Sequence, residues 1–433
     1  MRRCPALFVS GPASNSGKTT VTAALARYHL DRGRIVRVFK TGPDFLDPMI
    51  LEQASGAPVY NLDLFMGGEN HCRQLLYDAA AAADLILIEG VMGLFDGAPS
   101  SADLAGLFGI PVLAVIDGSA MAQTFGAVAH GLMTYHDGVP FAGVLANSVS
   151  GERHYKMLAE SLPPGIAACG WLARDQGIAL PRRHLGLVQA GEIDDLEVRI
   201  QAAATALKGF AEDAPRPIEI RKPASGTVRE MLDGLRIGIA RDSAFAFLYR
   251  ANLDLLRSLG AKLIFFSPLA DQALPDADAL YLPGGYPELH LDRLAANRPI
   301  QAAIRAHHAS GRPMLTECGG MLYVLESLTD VQGRSTEMVG LLPGRATMQE
   351  CLANLGVHSV SLPEGEMRGH TFHYSRLEMK MEPVAWSQGK RPGQRGEPIY
   401  RDGGLHASYT HLYFPSNPEA VARLFNPENR GRS

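Results

Sequence analysis

The segment SGPASNSGKTT (residues 10–20) limits the possible folds of this chain more than any other feature of its sequence. It follows the apolar run ALFVS (6–10), which predicts a buried strand, and it precedes VTAALARYHLDRG (21–33), which has helical periodicity. In a phosphate-binding loop, or P-loop, a strand and a helix flank a glycine-rich turn whose backbone N–H groups hold phosphates. The sequence therefore predicts a nucleotide-binding α/β domain at the N-terminus.

Within this loop, Lys18 is expected to neutralise the outer phosphates of ATP, and the Thr19 hydroxyl is expected to bind Mg²⁺. Other residues of the loop are also predicted to bind ATP: Gly11, Ser14, Ser16, Gly17 and Thr20. The loop is one residue longer than the GxxxxGK(S/T) pattern. The alternative, a Gly/Ser turn with an exposed lysine, explains poorly why a strand, GKTT and a helix occur in succession.

Short apolar runs alternate with segments of helical periodicity along the first half of the chain. After the first strand, the runs that predict strands are RIVRVFK (34–40), DLILIEG (84–90), PVLAVID (111–117) and FAGVLANSV (141–149). These runs are apolar enough to be buried on both faces of a parallel sheet. The sequence therefore predicts an α/β fold with a doubly wound sheet in the N-terminal domain.

A second series of strand-like runs follows EDAPRPIEIRKPASG (212–226), which is rich in proline and charge and is typical of a linker. The second series consists of RIGIARD (236–242), AKLIFFSP (261–268), ALYLPGG (279–285) and PMLTECGG (313–320). Because 433 residues are too many for one ordinary core, we expect two domains. We predict an ATP-binding domain over 1–191, a helix and linker over 192–232, and a second α/β domain over 233–433.

Acidic residues follow two of the predicted strands, at the edge where folds of this type bind ligands. Asp44 and Asp47 lie in KTGPDFLDP, and Glu89 and Asp96 lie in IEGVMGLFDG. Asp44 and Glu89 are the best candidates to hold Mg²⁺, directly or through water. Each acid could instead cap a helix, and a structural role suits Asp47 best. Asn147, at the end of FAGVLANSV, could read the adenine edge or form a turn.

The residues PMLTECGGMLYVLE (313–326) combine an apolar strand, a cysteine, two glycines and a helical segment. This order is typical of a nucleophile elbow with Cys318 as the nucleophile. We expect the N-terminus of the following helix to lower the pKa of the thiol. The backbone N–H of Gly319 could stabilise an oxyanion, and Gly285 in YLPGGYPE could supply a second donor.

A cysteine nucleophile needs a base, which is usually a histidine. We select His411, in the segment HASYTHLYF near the C-terminus. Its competitors are His406 in the same segment, and His370 and His373 in GHTFHYS. A lone histidine is more often structural, but the cysteine elbow favours a catalytic histidine here.

The composition limits the partners and the compartment. A net charge of -4 provides no basic field for nucleic acid or anionic lipid, so small-molecule substrates are favoured. No run approaches the length of about 18 apolar residues that spans a membrane, and we expect a cytoplasmic protein. The five cysteines have no CxxC spacing and predict neither a disulfide framework nor a zinc site: Cys4, Cys72, Cys169, Cys318 and Cys351.

Several segments together give the chain a specific resemblance. They are SGPASNSGKTT, KTGPDFLDP, EGVMGLFDG, PRRHLGLVQAGE, YLPGGYPELH, TECGGMLY and ASYTHLYF. In order and spacing they resemble the cobyrinic acid a,c-diamide synthases of cobalamin biosynthesis, and the resemblance covers nearly the whole chain. The longer P-loop is similar to that of the related dethiobiotin synthetase. The resemblance implies a dethiobiotin-synthetase-like domain joined to a class I glutamine amidotransferase domain.

The resemblance implies an ATP-dependent amide synthase that takes its nitrogen from glutamine. The family amidates the a and c acetate side chains of the corrin, each through an acyl phosphate that ammonia attacks. An acyl phosphate has a good leaving group, and Lys18 with Mg²⁺ would stabilise the charge on the transferred phosphoryl group. Ammonia would be released through a thioester on Cys318, in a site where solvent does not protonate it.

The resemblance also implies roles for particular residues. Cys318 would be the nucleophile and His411 its base, and Asp44, Glu89 and Asp96 would lie at the ATP and carboxylate site. The region of substrate activation would comprise Asp47, Asp96 and His184, the last of which lies in PRRHLGLVQAGE. Many class I amidotransferases have a glutamate two residues after the histidine, but Tyr413 stands there in this chain. The third member of the catalytic group is therefore unassigned.

Alternatives remain open at this level. The substrate could be cobyrinate or metal-free hydrogenobyrinate. A cobyric acid synthase, or a synthase that amidates a nickel sirohydrochlorin intermediate, would share the chemistry. A ParA-like ATPase would explain the P-loop but not the cysteine elbow, and a scaffold protein would explain neither. A homodimer is also left open.

Overall fold

The computed structural model describes residues 1–181, 188–211, 215–224, 229–391 and 393–426. The chain divides into two compact units. The first comprises Met1–Leu64 and Glu69–Ser225, and the second comprises Phe65–Gly68 and Gly226–Ser433. Each unit has its own sheet and its own buried apolar clusters, so the predicted α/β class is confirmed.

The first unit is built around one sheet. Its strands are β1 (Arg2–Ser10), β2 (Val36–Thr41), β3 (Tyr60–Leu62), β4 (Leu85–Glu89), β5 (Val112–Asp117), β6 (Phe141–Val149), β7 (Ala168–Ala173) and β8 (Pro217–Ile220). The order across the sheet is β3-β2-β4-β1-β5-β6-β7, and every pair along this path is parallel. The strands therefore end at one common edge, where ligands bind in open α/β sheets.

Helices pack on both faces of this sheet. They are α1 (Lys18–Leu30), α2 (Leu46–Ser55), α3 (Gly68–Ala79), α4 (Ser101–Phe108), α5 (Thr124–Thr134), α6 (Glu152–Glu160) and α7 (Leu196–Ala206). Leu7 and Val9 of β1 belong to the apolar cluster with α1, α2 and α7, whereas Ala6 and Phe8 belong to the cluster with α4, α5 and α6. Successive side chains of a strand point to opposite faces, so a continuous apolar run is what a sheet covered on both faces requires. The predicted doubly wound sheet is confirmed.

The proline-rich segment expected to be a linker contains β8, which belongs to the first unit. β8 pairs antiparallel with the first residues of β1, with Ile218 opposite Cys4, and Ile220 is buried. β8 has only four residues and joins the sheet through main-chain hydrogen bonds. The amino-acid composition of a segment does not show which main-chain groups will pair. The proline and charge content of 212–226 therefore indicated a linker, although the segment contains a strand.

The second unit has a sheet of strand order β10-β9-β11-β12-β22-β21-β19 among its described residues. These strands are β9 (Arg236–Ala240), β10 (Lys262–Phe266), β11 (Ala279–Leu282), β12 (Met314–Glu317), β19 (Ala385–Trp386), β21 (Pro398–Asp402) and β22 (Leu405–Ser408). The helices are α8 (Arg250–Ser258), α9 (Leu291–Ala296), α10 (Arg298–Ala309), α11 (Gly319–Val324) and α12 (Pro418–Phe425). The strands predicted at 236–242, 261–268, 279–285 and 313–320 are confirmed.

Two smaller sheets complete the second unit, and the sequence analysis did not predict them. One has the order β14-β13-β15-β18, and the other has the order β20-β16-β17-β23. Their strands are β13 (Leu325–Thr329), β14 (Ser335–Glu337), β15 (Leu342–Met348), β16 (Asn354–Leu362), β17 (Gly365–His373), β18 (Ser375–Met379), β20 (Gln388–Gly389) and β23 (His411–Tyr413). β23 is short, but it carries the histidine selected from the sequence.

In the part of the chain that the structure describes, none of the helices is both long and apolar enough to cross a membrane. All five cysteines lie in described ranges and carry free thiols. Cys318 is buried and Cys351 is exposed, a difference that matters for their reactivity.

Helix α5 contains two glycines with opposite surroundings, and they give a matched test of its packing. A Cβ added at Gly126 would lie 1.9 Å from the backbone oxygen of Ser161, whereas a Cβ at Gly131 would meet nothing within 4 Å. We expect Gly126→Ala to destabilise the first unit by about 1–3 kcal/mol through overpacking. Gly131→Ala should stabilise it by up to about 1 kcal/mol, because alanine favours the helix. Urea unfolding of the full chain measures both changes, and equal effects of the two would contradict this packing.

Candidate active sites

The P-loop lies between β1 and α1 and is held by contacts to its own carbonyl groups. Ser16 Oγ and Lys18 Nζ each donate a hydrogen bond to the carbonyl oxygen of Ala13, both at 2.8 Å. The Asn147 side chain donates to the carbonyl oxygen of Ser16 at 3.0 Å. Gly17 has a φ of 89°, and a Cβ there would lie 2.0 Å from the Asn147 amide nitrogen. Position 17 therefore requires glycine for both backbone conformation and space.

A cavity of about 1070 Å³ opens beside this loop. Several residues predicted to bind ATP line it: Ser14, Gly17, Lys18, Thr19, Thr20 and Asn147. Gly11 and Ser16 contribute to the packing of the loop. Ser16 bonds to the Ala13 carbonyl, and a Cβ at Gly11 would lie 2.5 Å from the Val115 carbonyl oxygen. The cavity also reaches Asp117 and the end of β7, from Ala173 to Gln176, which the sequence analysis did not single out.

A buried lysine at the end of β2 joins the acidic residues of the site. Lys40 Nζ donates to Asp47 Oδ2 at 2.6 Å and to Glu89 Oε1 at 2.8 Å, and lies 3.9 Å from Asp44 Oδ2. Burial alone would lower the pKa of Lys40, but the charges of Asp47, Glu89 and Asp44 outweigh burial and raise it. Sequence reasoning missed Lys40. Its signal is a lysine in an apolar strand that the sheet buries on both faces.

The charges in this cluster shift one another's pKa values. Burial raises the pKa of Glu89, although Lys40 opposes the shift. For Asp47, the attraction of Lys40 outweighs burial and lowers the pKa. Burial and the Lys40 charge lower the pKa of Lys18. The site thus concentrates opposite charges in a poorly solvated space, as binding sites for phosphates often do.

The oxygen atoms around Glu89 fit the predicted magnesium site. Thr19 Oγ1 donates to Glu89 Oε1 at 2.7 Å, and Glu89 Oε2 is buried with no hydrogen-bond partner among the described residues. The described part of the chain has no group of three or more His, Cys, Asp or Glu side chains suited to a metal. A site completed by phosphate and water suits Mg²⁺, which usually retains several waters. Thr19 and Glu89 are the residues here that would hold it.

The other predicted acids have defined local contacts. Asp44 Oδ1 accepts hydrogen bonds from the backbone N–H groups of Leu46 and Asp47, which begin α2. Asp44 therefore satisfies the first two N–H groups of this helix and also lines the cavity. Asp96 Oδ2 accepts from the Gly93 N–H at 2.9 Å and closes the turn after β4. The prediction for His184 falls outside the described residues.

In the second unit, Cys318 forms the elbow between β12 and α11 that the sequence predicted. Its φ of 46° is unusual for a residue other than glycine. A Cβ at Gly319 would lie 2.9 Å from the backbone nitrogen of Gly285, and a Cβ at Gly285 would lie 2.1 Å from the carbonyl oxygen of Ala244. Both positions require glycine, because an added Cβ at either one would collide with backbone atoms.

His411 packs against the same glycine turn. A Cβ at Gly284 would lie 2.2 Å from His411 Cε1. The His411 ring also stacks on His370, with ring centroids 4.9 Å apart and planes 16° from parallel, and the Tyr249 hydroxyl lies 2.8 Å from His370 Nδ1. The turn after β11 therefore lies against both His411 and the residue that follows Cys318.

The competing histidines make other contacts. His373 Nε2 lies 3.1 Å from Glu397 Oε1, and its ring stacks on Tyr409. His406 forms hydrogen bonds with Arg401. The His370 ring stacks on the ring of His411. The contacts therefore favour His411 as the base, and this choice stays a prediction.

Burial raises the pKa of Cys318, and the negative charge of Glu288 adds to the effect. The Gly319 N–H at the start of α11 lowers the pKa of the thiol, as the sequence analysis expected of the helix N-terminus, but burial outweighs it. Burial also lowers the pKa of His411 to about 3, with a smaller contribution from His373. At neutral pH the two side chains are a neutral thiol and a neutral imidazole.

Comparison with known proteins identifies both units. Residues 7–187 match the model described as "CobQ/CobB/MinD/ParA nucleotide binding domain". Residues 236–419 match the "CobB/CobQ-like glutamine amidotransferase domain". The chain therefore joins a P-loop nucleotide-binding unit to a glutamine amidotransferase unit.

Similar curated proteins cover almost the entire chain. Hydrogenobyrinate a,c-diamide synthase of Pseudomonas aeruginosa is 60% identical over 98% of this chain and 98% of its own. The protein of the same name from Stutzerimonas stutzeri is 59% identical over 98% of this chain and 99% of its own. Cobyrinate a,c-diamide synthase of Herminiimonas arsenicoxydans is 50% identical over 98% and 97%. The chain belongs to the cobyrinate and hydrogenobyrinate a,c-diamide synthase family.

The Lys40 cluster leads to a prediction about stability. Lys40→Met removes the cation that compensates Asp47 and Glu89, so we expect it to destabilise the first unit by about 3–5 kcal/mol. Adding Glu89→Gln to Lys40→Met should restore part of the loss, because it removes one of the unpaired charges. Urea unfolding of the single and double variants measures the coupling. Additive losses would contradict a direct interaction between Lys40 and Glu89.

The burial of Cys318 leads to a prediction about reactivity. Because the thiolate is the nucleophile, a thiol with a raised pKa should react slowly with iodoacetamide at pH 7. We expect the exposed Cys351 to be alkylated at least about 100-fold faster than Cys318, as measured by peptide mass spectrometry. Loss of the slow modification in the Cys318→Ser variant would assign it to Cys318. Rapid labelling of Cys318 that is already independent of pH at pH 7 would contradict the raised pKa.

Proposed function

We propose that this chain converts the a and c acetate carboxylates of hydrogenobyrinate to primary amides, using ATP and glutamine. One observation carries the proposal: a single chain combines a P-loop cavity holding buried acids and lysines with a cysteine elbow beside a buried histidine. The relatives that are 60% and 59% identical are named for hydrogenobyrinate, and the one that is 50% identical is named for cobyrinate. We therefore place the metal-free macrocycle first.

In the first unit, the proposed step activates a carboxylate. ATP would bind with its phosphates against the P-loop, where Lys18 offsets their charge. A carboxylate oxygen of the substrate attacks the terminal phosphorus, the bond to ADP breaks, and an acyl phosphate forms. Lys40 keeps its proton because Asp47 and Glu89 hold its pKa high, and its charge eases the approach of two anions.

Magnesium, if held by Thr19 and Glu89, would supply positive charge near the transferred phosphoryl group. Asp44 lines the same cavity and lies near this pair. The hydrogen bond that Asp44 accepts at the start of α2 holds its carboxylate in place. Asp44 could therefore contribute to the magnesium site with little movement of the backbone. The chemistry of the site, with oxygen donors only, suits this ion better than a softer metal.

In the second unit, the proposed step releases ammonia. Cys318 Sγ attacks the side-chain carbonyl carbon of glutamine while His411 takes the thiol proton. The N–H groups of Gly285 and Gly319 would stabilise the oxyanion. The proton passes to the leaving nitrogen, ammonia departs, and water hydrolyses the thioester to glutamate. Ammonia then attacks the acyl phosphate, and phosphate leaves with formation of the amide.

The first experiment incubates the full chain with ATP, Mg²⁺ and glutamine, with hydrogenobyrinate or cobyrinate in separate reactions. We expect two successive exchanges of hydroxyl for amine in the product mass, with release of glutamate, and faster reaction of hydrogenobyrinate. Glutamine hydrolysis without amidation of either acid would exclude the corrin proposal. Amidation of a nickel sirohydrochlorin acid instead would assign the alternative substrate.

Two variants separate the half-reactions. Cys318→Ala should abolish amide formation from glutamine but not from ammonium chloride, because free ammonia bypasses the thioester. Lys18→Ala should reduce amide formation from both nitrogen donors by about 100-fold or more, because it removes a charge at the phosphoryl group. ATP turnover that is independent of glutamine and of Cys318→Ala would favour a ParA-like ATPase.

The partners in this proposal are small molecules, and it involves neither nucleic acid nor a membrane surface. Location in the cytoplasm and assembly as a homodimer remain predictions. Sedimentation velocity of the full chain would test whether it forms a homodimer.

A further inference from the structure

A buried carboxyl group directly precedes the nucleophile. Glu317 is the last residue of β12 and is only 2% exposed. Its Oε2 accepts a hydrogen bond from the Tyr281 hydroxyl at 2.7 Å, and its Oε1 accepts one from the Leu412 backbone N–H at 3.0 Å. Leu412 follows His411 in the chain. One side chain therefore connects the strand that leads to the nucleophile with the strand that carries the base.

The same residue, Leu412, is also held by Asn252 of α8. The Asn252 amide nitrogen donates to the Leu412 carbonyl oxygen at 2.8 Å, and its amide oxygen accepts from the Phe414 N–H at 2.8 Å. Asn252 is completely buried. The N–H and the carbonyl of Leu412 are thus both bonded to buried side chains from two different elements.

These contacts matter because β23 is only three residues long. Its antiparallel pairing with β17 places Gly369 opposite Leu412 and His370 opposite His411. A strand this short has few main-chain bonds of its own to hold a catalytic side chain in position. Glu317 and Asn252 act on the edge of β23 that β17 does not pair with.

The hydroxyl that binds Glu317 comes from the strand that supplies the glycine turn. Tyr281 lies in β11, three residues before Gly284, against which the His411 ring packs. Tyr281 is 1% exposed, so its hydroxyl is fixed by the core rather than by solvent. The three strands that lead to the glycine turn, the nucleophile and the base therefore meet at one carboxyl group.

We propose that Glu317, together with Tyr281 and Asn252, is the group that positions His411. It would act through the backbone of Leu412, in a chain that has Tyr413 where many class I amidotransferases have their glutamate. Tyr413 is itself buried and packs edge-on against Tyr249. The inference rests on the proposed release of ammonia from glutamine. It adds positioning residues and no further chemical step.

The electrostatics of Glu317 agree with a positioning role. Burial raises the pKa of Glu317 to about 8, and the hydrogen bonds from Tyr281 and Leu412 only partly oppose this. Burial therefore shifts this carboxyl group towards its neutral form, which agrees with holding the backbone rather than stabilising an imidazolium ion.

The test compares Glu317→Gln, which keeps an oxygen acceptor for the Leu412 N–H, with Glu317→Leu, which has similar size and no acceptor. The full chain is assayed for glutamine hydrolysis and, separately, for amide formation from ammonium chloride. We expect Glu317→Leu to lower kcat for glutamine hydrolysis by about 100-fold, because small displacements of a catalytic group cost that much. KM for glutamine should change less than about threefold, and the ammonia-dependent rate less than about twofold.

We expect kcat for glutamine hydrolysis to fall by less than about tenfold in Glu317→Gln. This conservative variant would thus avoid most of the loss expected for Glu317→Leu. Tyr281→Phe should also lower kcat by about tenfold at unchanged KM, and it carries the test if Glu317→Leu does not fold. The controls are Glu326→Gln, which changes an exposed carboxylate on β13, and Tyr400→Phe, which removes a buried hydroxyl on β21. Neither control should alter glutamine hydrolysis.

Wild-type kcat in both Glu317→Leu and Tyr281→Phe would overturn the inference. So would equal losses in glutamine hydrolysis, in ammonia-dependent synthesis and in thermal stability, because they would indicate a purely structural role. A wild-type chain that does not hydrolyse glutamine would overturn the proposed function and this inference together. A chain that hydrolyses glutamine but amidates no corrin would overturn the substrate alone.

Discussion

Burial on both faces of a sheet whose central strands are parallel is the constraint on which both units depend. Apolar side chains therefore occupy the middle of each strand, because an unpaired polar group buried there would lose its hydration without gaining a hydrogen bond. Polar chemistry is therefore confined to the ends of the strands. β1 leads to the P-loop and β4 ends in Glu89, while β11 leads to the glycine turn and β12 to Cys318. The sites follow from the layering of each unit.

The two units compensate buried carboxyl groups in different ways. Glu89 and Asp47 share the ammonium group of Lys40, so a charged network persists in the first unit. In the second unit, Glu317 accepts hydrogen bonds from the Tyr281 hydroxyl and the Leu412 N–H rather than from a cation, and burial raises its pKa instead. Ionic compensation suits a site for phosphates, which needs fixed charge. A neutral, hydrogen-bonded carboxyl group suits a rigid framework, because it imposes no field on the reacting atoms.

The features that the sequence predicted correctly are local ones. A strand, a glycine-rich loop and a helix follow one another within about 25 residues at the P-loop, and the elbow at Cys318 is equally compact. The pairing of Lys40 with Glu89 joins residues 49 positions apart, and the bond from Leu412 to Glu317 spans 95. No periodicity encodes such pairs, because they depend on which strands become neighbours. β8 and the two small sheets of the second unit were missed for the same reason.

The neutral state of the cysteine and histidine has a consequence for how the second unit would work. A pKa of about 3 for His411 and a raised pKa for Cys318 mean that the ion pair is scarcely populated in this structure. Proton transfer must therefore accompany the attack on the amide, when the Gly285 and Gly319 N–H groups can stabilise the charge that forms. Such a transfer tolerates little error in the position of the imidazole. The burial that keeps the resting thiol unreactive is thus also the reason that β23 needs firm support from the core.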